Sequence, residues 1–494
     1  MPAYLAVALG AESGRVLRGD LRPAARGPDR LVVEEVHRFA NRPVRRPDGL
    51  YWDIDGLYGG VTAGLGAALG RGPAVASVGV DAWGNDFGLL DDHGRLLAAP
   101  WHHRTSRTAG MVGRLAERIG PDELYATTGT QFLPITTACQ LLAMAGSPAL
   151  AAAERLVLVP DLISYWLTGR QVTERTVAST SQLWDIRGGS WATGVIERLG
   201  LPARLFAGEV VAPGTPVGPL RAEPGSGAPL VVAVAGHDTA SAVAAVPGGP
   251  EPFGYVSCGT WSLVGLETPA PITTPAARAA HFTNEAGVGD TVRFLSNVNG
   301  LWLLQECRRA WADGPGAPSY PQLTDAARAA PAFRSLLDPD HPTLLGVGDM
   351  PARIAAVCTA AGEPAPAGRA GTVRCILESL ACRYRWALER AEALVGQRVE
   401  AVHVVGGGAA NDLLCQLTAD VVGRPVVAGP VEATAVGNLL VQAMADGRLA
   451  GLAQLREVVR ASFAPRRHEP TRDRARCEDA YGRFRGIIEG RPAT

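Results

Sequence analysis

The sequence contains no lysine, and all 47 of its basic residues are arginine. Without lysine the protein cannot form a pyridoxal Schiff base or act as a lysine-dependent aldolase. It also cannot build a Walker A loop or supply the strand lysine of protein kinases. If the protein handles nucleotide phosphates, backbone amides, hydroxyl groups and arginine side chains must hold them.

Closely spaced cysteine pairs and long apolar runs are missing as well. The eight cysteines include no Cys-x-x-Cys pair, which argues against a structural zinc site. We expect reduced thiols, and the sequence leaves open whether Cys358 and Cys375 are paired. The N-terminus has neither a basic leader nor a long apolar core, so we expect a cytoplasmic protein with no membrane partner.

Charge of either sign is not in excess, because 48 acidic residues offset the 47 arginines and leave a formal net charge of −1. This balance gives no reason to expect nucleic acid or an anionic membrane surface as a partner. We expect small-molecule ligands, and a monomer or a small homo-oligomer.

The chain of 494 residues exceeds what one hydrophobic core usually serves, so we predict two domains. Strand candidates such as residues 75–80 alternate with helical stretches such as residues 55–69 and 433–445, which predicts an α/β fold. The breaker cluster Pro-Gly-Gly-Pro at residues 247–250 places the boundary there. The predicted domains are therefore residues 1–246 and 247–494.

Each half contains an apolar strand, a tight glycine turn and a second strand. Residues 4–9 run into a turn that starts at Gly10, and residues 253–258 run into Gly259 and Thr260. This repetition indicates duplication, with a ligand site in a cleft between the domains. Small residues in such turns can direct backbone N–H groups at an anion, although each turn alone also fits an ordinary hairpin. Together the turns predict a cradle for the phosphates of ATP.

A third glycine turn follows the predicted strand at residues 401–405. It contains Gly407 and Gly408, and Asn411 precedes a predicted amphipathic helix. Glycines at such a position let the backbone lie flat against a purine or a ribose. The alternative is a tight connection between a strand and a helix, and the spacing does not match a dinucleotide fingerprint.

Asp238 is the candidate catalytic carboxylate. Phosphoryl transfer needs a carboxylate that accepts a proton from the attacking hydroxyl group. Asp238 follows an apolar run and Gly236 and precedes Thr239, so it is predicted to lie where a strand ends and a helix begins. A helix N-terminus would keep the carboxylate ionised. The alternative role is a helix cap.

Candidate sugar contacts surround two predicted strand ends. The residues that follow the strand at residues 75–80 combine an aromatic face with hydrogen-bonding carboxylates, which is typical of sugar sites; they are Asp81, Trp83, Gly84 and Asp86. Residues of these types also occur in purely structural roles. His237 fits either a sugar ligand or a buried hydrogen-bond partner, and no metal-ligand cluster stands out.

Six motifs occur together in a region that extends from about residue 4 to residue 459. They are Gly-Val-Asp-Ala-Trp-Gly at 79–84, Gly-Thr-Gln-Phe-Leu-Pro at 129–134, Gly-His-Asp-Thr-Ala-Ser at 236–241, Gly-Thr-Trp-Ser at 259–262, Gly-Leu-Trp-Leu-Leu-Gln at 300–305 and Ala-Gly-Pro-Val-Glu-Ala at 428–433. In this combination the chain resembles the rhamnulokinases of the FGGY carbohydrate kinase family. The resemblance implies a two-domain, actin-like ATPase fold of the ribonuclease H-like type with an interdomain cleft. It also implies transfer of the γ-phosphoryl group of ATP to O1 of L-rhamnulose, in L-rhamnose catabolism, with Mg²⁺ accompanying the nucleotide.

The resemblance implies roles for single residues, with Asp238 as the general base. The sugar contacts implied by it are Gly84, His237 and Asn297, to which Asp81, Trp83 and Arg104 are added as candidates. The ATP contacts implied by it are Ala11, Glu12, Ser13, Gly14, Arg15, Thr260, Gln305 and Gly408, to which Gly407 and Asn411 are added. No residue is assigned as a metal ligand.

The chain departs from the family pattern at two positions. Ala8 occupies a position where these kinases place an aspartate that helps to hold the metal ion, and Thr105 replaces another aspartate. Loss of a metal ligand weakens turnover when the cation stabilises transition-state charge. The alternatives are therefore a catalytically weakened protein that binds sugar and nucleotide, or a kinase for another ketose such as L-fuculose or xylulose.

Overall fold

The structure is a computed structural model and describes residues 3–221, 228–312, 318–471 and 473–490. The chain forms two compact units. The first comprises Met1–Pro247, Glu267–Phe294 and Ala433–Phe463, and the second comprises Gly248–Leu266, Leu295–Glu432 and Ala464–Thr494. A unit boundary thus falls at the predicted breaker cluster, but both units are discontinuous in sequence.

The described residues contain both strands and helices in alternation. The strands are β1 (Ala3–Leu9), β2 (Ser13–Arg22), β3 (Arg30–Ala40), β4 (Pro43–Arg46), β5 (Gly49–Trp52), β6 (Val75–Asp81), β7 (Phe87–Leu90), β8 (Arg155–Leu158), β9 (Thr173–Glu174), β10 (Trp184–Asp185), β11 (Ser190–Trp191), β12 (Val210–Val211), β13 (Thr215–Pro219), β14 (Leu230–Ala233), β15 (Phe253–Cys258), β16 (Trp261–Thr268), β17 (Thr283–Ala286), β18 (Val292–Asn299), β19 (Ala401–Val405), β20 (Val426–Ala428) and β21 (Arg466–His468).

The α-helices range from one turn to 28 residues in length. They are α1 (Ile54–Leu69), α2 (Met111–Ile119), α3 (Pro121–Thr128), α4 (Thr137–Ala143), α5 (Pro148–Ala152), α6 (Val159–Thr168), α7 (Arg175–Ala178), α8 (Thr193–Arg198), α9 (Asp238–Ala244), α10 (Pro275–Ala279), α11 (Trp302–Ala310), α12 (Tyr320–Ala329), α13 (Met350–Ala360), α14 (Gly368–Val395), α15 (Asp412–Val422), α16 (Ala433–Ala445), α17 (Leu452–Ser462) and α18 (Arg474–Glu489). Short 3-10 helices lie at Ser106–Thr108, Ala203–Phe206, Pro342–Leu344 and Gly407–Ala410.

The first unit contains a six-stranded sheet in the order β13-β14-β6-β1-β2-β3. Strand β1 pairs antiparallel with β2 and parallel with β6, and β6 pairs parallel with β14. All seven residues of β1 are buried, which fits its nearly continuous apolar sequence and its central place in the sheet. Helix α16 packs on β1 and β6, and α1 packs on β2 and β3.

Helices α16 and α9 approach each other closely in the first unit. A Cβ atom added to Gly437 would overlap the backbone carbonyl oxygen of Ser241, so only glycine permits this packing. Ala435, Val436, Leu439 and the neighbouring residues of α16 are buried. The contact fixes α9, which begins at Asp238, against the sheet.

The second unit contains the neighbouring strands β15-β19-β20-β21 of a sheet with the order β17-β18-β16-β15-β19-β20-β21. Strand β15 pairs antiparallel with β16 and parallel with β19, so a hairpin and a strand-to-helix turn end side by side. The 28-residue helix α14 supplies much of the core, together with α11, α13 and α15. This architecture is the α/β alternation that the sequence predicts.

Several predicted elements match the structure closely. The strands predicted at residues 253–258 and 401–405 and the helix at residues 433–445 are found with the same ends. The helix predicted at residues 55–69 starts one residue earlier, where the side chain of Asp53 caps it by accepting from the amide of Gly56. Within the described part of the chain, no helix has the length and apolar character needed to cross a bilayer. The sulfur atoms of Cys358 and Cys375 lie 3.8 Å apart as free thiols.

Candidate active site

Asp238 is the first residue of α9, directly after the turn that follows β14. Its Oδ1 accepts hydrogen bonds from the amide of Thr239 at 2.6 Å and from the Thr239 hydroxyl at 3.3 Å. Asp238 is therefore not the N-cap of α9, because His237 occupies that position and makes no side-chain cap, and the bonds from Thr239 are local to the first turn. About 32% of the Asp238 side chain stays exposed, so the carboxylate is also accessible to a ligand.

Burial raises the pKa of Asp238, and the nearby His237, the bonds from Thr239 and the more distant Arg293 only partly offset this effect. A carboxylate with a raised pKa accepts a proton more readily than an ordinary aspartate. The environment of Asp238 therefore suits a general base.

A buried ion pair holds His237 from the side opposite Asp238. The Nε2 atom of His237 lies 3.3 Å from Oδ1 of Asp238, and its Nδ1 lies 3.2 Å from Oε2 of Glu285. Arg293 contacts the same Glu285 oxygen at 2.9 Å and is 1% exposed. Although burial by itself raises the pKa of Glu285, the charges of Arg293 and His237 outweigh it and lower that pKa. Glu285 and Arg293 thus fix the imidazole beside Asp238.

Glu174 fixes the backbone of the same turn. Its carboxylate accepts hydrogen bonds from the amides of Thr176 at 2.8 Å and Gly236 at 2.9 Å, and the Thr176 hydroxyl accepts from the amide of His237 at 3.2 Å. Burial raises the pKa of Glu174, and these hydrogen bonds oppose the increase. The side chain joins α7 to the turn that carries His237 and Asp238.

Asp86 is the centre of an aromatic cluster beside β6. The side chain is fully buried, and its Oδ2 accepts from Nε1 of Trp52 at 2.7 Å, from Nε1 of Trp83 at 2.9 Å and from Nδ1 of His103 at 2.8 Å. Its Oδ1 accepts from Nε2 of Gln140 at 2.8 Å. Burial favours a higher pKa, but the charge and hydrogen bond of His103 outweigh it and lower the pKa of Asp86. The predicted sugar-site residue Trp83 is therefore held in a fixed orientation.

Gly84 and Arg104 are sequence neighbours of two members of this cluster, Trp83 and His103. A Cβ atom on Gly84 would lie 2.8 Å from Oγ1 of Thr180, so the glycine permits close packing on that residue. The amide of Arg104 donates to Nδ1 of His102 at 3.0 Å, and the His102 ring stacks on Trp52 with centroids 4.2 Å apart. Both predicted positions thus belong to the neighbourhood that Asp86 organises.

Asp81 is the last residue of β6 and is fully buried. Its Oδ2 accepts from Nδ2 of Asn438 at 2.6 Å, whereas its Oδ1 is buried without a hydrogen-bond partner among the described residues. Burial and the charge of Asp238 raise the pKa of Asp81 well above its ordinary value. A buried oxygen without a hydrogen-bond partner is costly, so Oδ1 of Asp81 is a candidate for contact with a ligand.

The first glycine turn is a short hairpin between β1 and β2. The amide of Gly10 donates to the carbonyl oxygen of Ser13 at 3.0 Å, so Ala11 and Glu12 form the tip. Gly14 and Arg15 belong to β2, and a Cβ atom on Gly14 would overlap the ring of Phe39. Packing on Phe39 is therefore one physical reason for glycine at position 14.

The second hairpin and the third glycine turn lie side by side in the second unit. Ser257 of β15 pairs with Val405 of β19. A Cβ atom on Gly408 would overlap the sulfur of Cys258, whereas Gly407 faces open space. Parallel pairing thus brings the predicted nucleotide residues Thr260 and Gly408 to one edge of this sheet.

The remaining predicted residues of the second unit have different surroundings. Gln305 lies on α11, and its Oε1 is buried without a hydrogen-bond partner in the described part of the chain. Asn411 caps α15, because its side chain accepts from the amide of Leu414 at 3.1 Å. Asn297 lies on β18 and is half-buried. Oε1 of Gln305 is therefore a buried acceptor that is available for a ligand.

Comparison with known proteins gives two family models that cover most of the chain. The N-terminal domain of the FGGY family of carbohydrate kinases matches residues 48–245, and the C-terminal domain of that family matches residues 254–445. The chain belongs to the FGGY family of carbohydrate kinases. Its fold is the two-domain, actin-like fold of these FGGY kinases, and the prediction of fold class is confirmed.

Several FGGY relatives match almost the whole chain. A rhamnulokinase of Bacteroides thetaiotaomicron is 42% identical over 98% of this chain and 99% of its own length. A rhamnulokinase of Pectobacterium carotovorum is 39% identical over 94% and 92%. Among solved structures, a gluconate kinase from Lactobacillus acidophilus has a TM-score of 0.78 at 14% identity and covers 99% of this chain and 98% of its own. Because the sequence identity is only 14%, this structural match supports the assignment of the FGGY fold and not a choice of substrate.

Sequence reasoning missed the residues that hold this FGGY site together. Glu174, Glu285 and Arg293 fix His237 and its turn, but no local pattern marks them. Asp86 was expected near the sugar site from the sequence, but its role as the acceptor for Trp52 and His103 was not. No local pattern pointed to Trp52.

Proposed function

We propose that the protein phosphorylates L-rhamnulose at O1 with ATP and gives L-rhamnulose 1-phosphate and ADP, in L-rhamnose catabolism. The observation that carries the proposal is the accessible carboxylate of Asp238 beside a fixed His237, in a chain 42% identical to a rhamnulokinase over nearly its full length. A 6-deoxy ketose carries its primary hydroxyl at O1, which makes O1 the accessible nucleophile.

Asp238 acts in this mechanism as the general base. Its carboxylate takes the proton of the O1 hydroxyl as that oxygen attacks the γ-phosphorus, while the bond to the leaving ADP breaks. His237 holds Oδ1 of Asp238 and offers a polar edge to the sugar, and the ion pair of Glu285 and Arg293 prevents the ring from turning away.

The sugar and the nucleotide are assigned to the residues expected from the sequence. Gly84, His237, Asn297, Trp83 and Arg104 serve the sugar, whereas Asp81, which is also a sugar candidate in the sequence, is reserved for the cation. Ala11, Glu12, Ser13, Gly14, Arg15, Thr260, Gln305, Gly407, Gly408 and Asn411 serve ATP. The side-chain oxygen of Gln305, which has no hydrogen-bond partner in the described part of the chain, supports its assignment to ATP. The side-chain oxygen of Asn411 is engaged in its capping bond, so the amide nitrogen is left for a ligand.

Mg²⁺ fits the first unit as a cation carried mainly by phosphate oxygens. Within the described residues, no group of three or more His, Cys, Asp and Glu side chains is arranged for a metal ion. Magnesium in kinases typically contacts one or two carboxylates and the substrate phosphates. Oδ1 of Asp81 is a buried carboxylate oxygen that has no hydrogen-bond partner among the residues that the structure covers. The cation would supply charge neutralisation on the transferred phosphoryl group.

The role of Asp238 is tested by Asp238→Asn in an assay that couples ADP release to L-rhamnulose phosphorylation. The amide cannot accept the proton, so we expect turnover to fall about 10²–10⁴-fold. Unchanged turnover in a folded variant would remove Asp238 from the mechanism.

The same assay separates the alternatives. Parallel reactions with L-fuculose and xylulose test the choice of ketose, and a higher kcat/KM with either would replace L-rhamnulose in the proposal. If the unaltered chain phosphorylates a ketose, the alternative of a protein that binds its ligands without catalysis is excluded. The variant Ala8→Asp then measures how much activity is lost through the alanine at position 8.

A further inference from the structure

A row of paired residues crosses three strands of the first unit at the end that carries Asp238. Ala8 of β1 pairs with Asp81 of β6 in the parallel register and with Arg15 of β2 in the antiparallel register. Side chains of paired residues in neighbouring strands project from the same face of a sheet. Asp81, Ala8 and Arg15 therefore lie next to one another, and Ala8 contributes a methyl group with no oxygen.

The two oxygens of Asp81 differ sharply. Oδ2 is occupied by Nδ2 of Asn438 at 2.6 Å, and Oδ1 is buried without a hydrogen-bond partner among the described residues. The residue is 0% exposed, so bulk water does not satisfy Oδ1. A buried acceptor without a hydrogen-bond partner destabilises the folded protein unless a ligand completes the site.

A chain of buried hydrogen bonds fixes the orientation of Asp81. Asn438 and Gln442 face the same side of α16, and Nε2 of Gln442 donates to Oδ1 of Asn438 at 2.7 Å. Gln442 also donates to the carbonyl oxygen of Leu5 at 2.9 Å and accepts from the hydroxyl of Ser77 at 2.7 Å. These bonds hold Oδ2 toward α16, so Oδ1 is the oxygen left for a ligand.

Asp81 is tied to the strand end that carries Asp238. The amide of Ala82 donates to the carbonyl oxygen of Gly236 at 2.9 Å, and the carbonyl oxygen of Ala82 accepts from the amide of Asp238 at 2.8 Å. A carboxylate with a free oxygen and a second, accessible carboxylate thus belong to adjoining backbone segments. One or two carboxylates together with phosphate oxygens form the usual protein environment of Mg²⁺.

We propose that Oδ1 of Asp81 is the protein ligand for the divalent cation of the phosphoryl donor in this chain, in place of a carboxylate at position 8. Asn438 and Gln442 are positioning residues that orient this ligand. The inference rests on the proposed function for the identity of the phosphoryl donor. The competing explanation is a structural carboxyl group that only accepts from Asn438.

The test measures Mn²⁺ binding to the full chain in the presence of ADP, by electron paramagnetic resonance of free Mn²⁺. In Asp81→Asn the new Oδ1 still accepts from Asn438, while the charge and the free acceptor are lost. We expect the Kd for Mn²⁺ to rise at least about tenfold, as for loss of a residue on which metal binding depends. ADP affinity in EDTA should remain the same. An unchanged Kd for Mn²⁺ overturns the proposal.

The matched control is Asp446→Asn, which alters a carboxylate that accepts from the Tyr4 hydroxyl at 2.8 Å near the other end of β1. It should leave Mn²⁺ binding unchanged, and an equal loss in this control would also contradict the proposal. If Asp81→Asn does not fold, Ala8→Asp decides, because it adds a second carboxylate beside Asp81. The proposal expects tighter Mn²⁺ binding there and is overturned by an unchanged Kd.

Failure of this inference is distinguishable from failure of the proposed function. If the unaltered chain phosphorylates L-rhamnulose and Asp81→Asn binds Mn²⁺ normally, the proposed function stands and the assignment of Asp81 as a ligand is wrong. If the unaltered chain phosphorylates no ketose but its Mn²⁺ binding depends on Asp81, the assignment of Asp81 as a ligand stands and the proposed function is wrong.

Discussion

His102 is a buried neutral imidazole whose titration should be visible in the stability of the protein. Its ring stacks on Trp52, and its Nδ1 accepts from the amide of Arg104 at 3.0 Å. Burial, together with the neighbouring His103 and Arg104, lowers the pKa of His102 from 6.5 to about 3, although Asp86 opposes the decrease. In the unfolded chain the same group regains an ordinary pKa near 6.5.

The sign of the effect follows from proton counting. Below pH 6.5 the unfolded chain binds a proton at His102 while the folded protein does not, so acidification favours unfolding. The stability that His102 contributes is fully present above pH 6.5 and is lost as the pH falls toward 3. The slope is about 1.4 kcal/mol per pH unit, which integrates to about 2 kcal/mol between pH 7.5 and pH 5.0.

His102→Asn tests this reasoning, because the amide oxygen of asparagine can replace Nδ1 as an acceptor while the side chain does not titrate. Urea unfolding at pH 7.5 and pH 5.0, followed by tryptophan fluorescence, gives the free energy of unfolding of both proteins. The stability advantage of the unaltered protein over the variant should shrink by about 2 kcal/mol at the lower pH.

His93→Asn is the control, since the His93 side chain is 69% exposed and the same substitution there removes no buried imidazole. The free energies of unfolding of the unaltered protein and of His102→Asn are compared at both pH values. If their difference is the same at pH 7.5 and pH 5.0, His102 is not a buried neutral imidazole.

Two further substitutions probe packing around the site. Asp86→Asn breaks a buried ion pair with His103 and removes one acceptor oxygen. The free energy of unfolding, measured in urea, should therefore fall by about 3–5 kcal/mol. A decrease below about 1 kcal/mol would contradict the role of Asp86 as the centre of the cluster. Gly437→Ala should lower the free energy of unfolding by about 3 kcal/mol, because the new methyl group overlaps the Ser241 carbonyl. Its control is Gly482→Ala on an open face of α18, which should raise the free energy of unfolding by about 0.5–1 kcal/mol. Equal effects of the two alanines would show that α16 and α9 are not in tight contact.

The sequence by itself determined the regular elements and the family. A buried strand such as Phe253–Cys258 and a buried helix such as Ala433–Ala445 have apolar patterns that are local, so their ends could be read from neighbouring residues. Motifs such as that at residues 236–241 are also local, and they led to the FGGY kinases and to Asp238. The α/β class followed from the same local periodicities.

Only the tertiary structure decided which side chains meet. Arg293 reaches His237 across 56 residues, and Asn438 reaches Asp81 across 357 residues, so neither contact leaves a trace in local sequence. The burial that raises or lowers each pKa also depends on which elements pack together. The physical reason is that hydrogen bonds and charges act over a few ångströms of space, whereas sequence patterns record only neighbours along the chain.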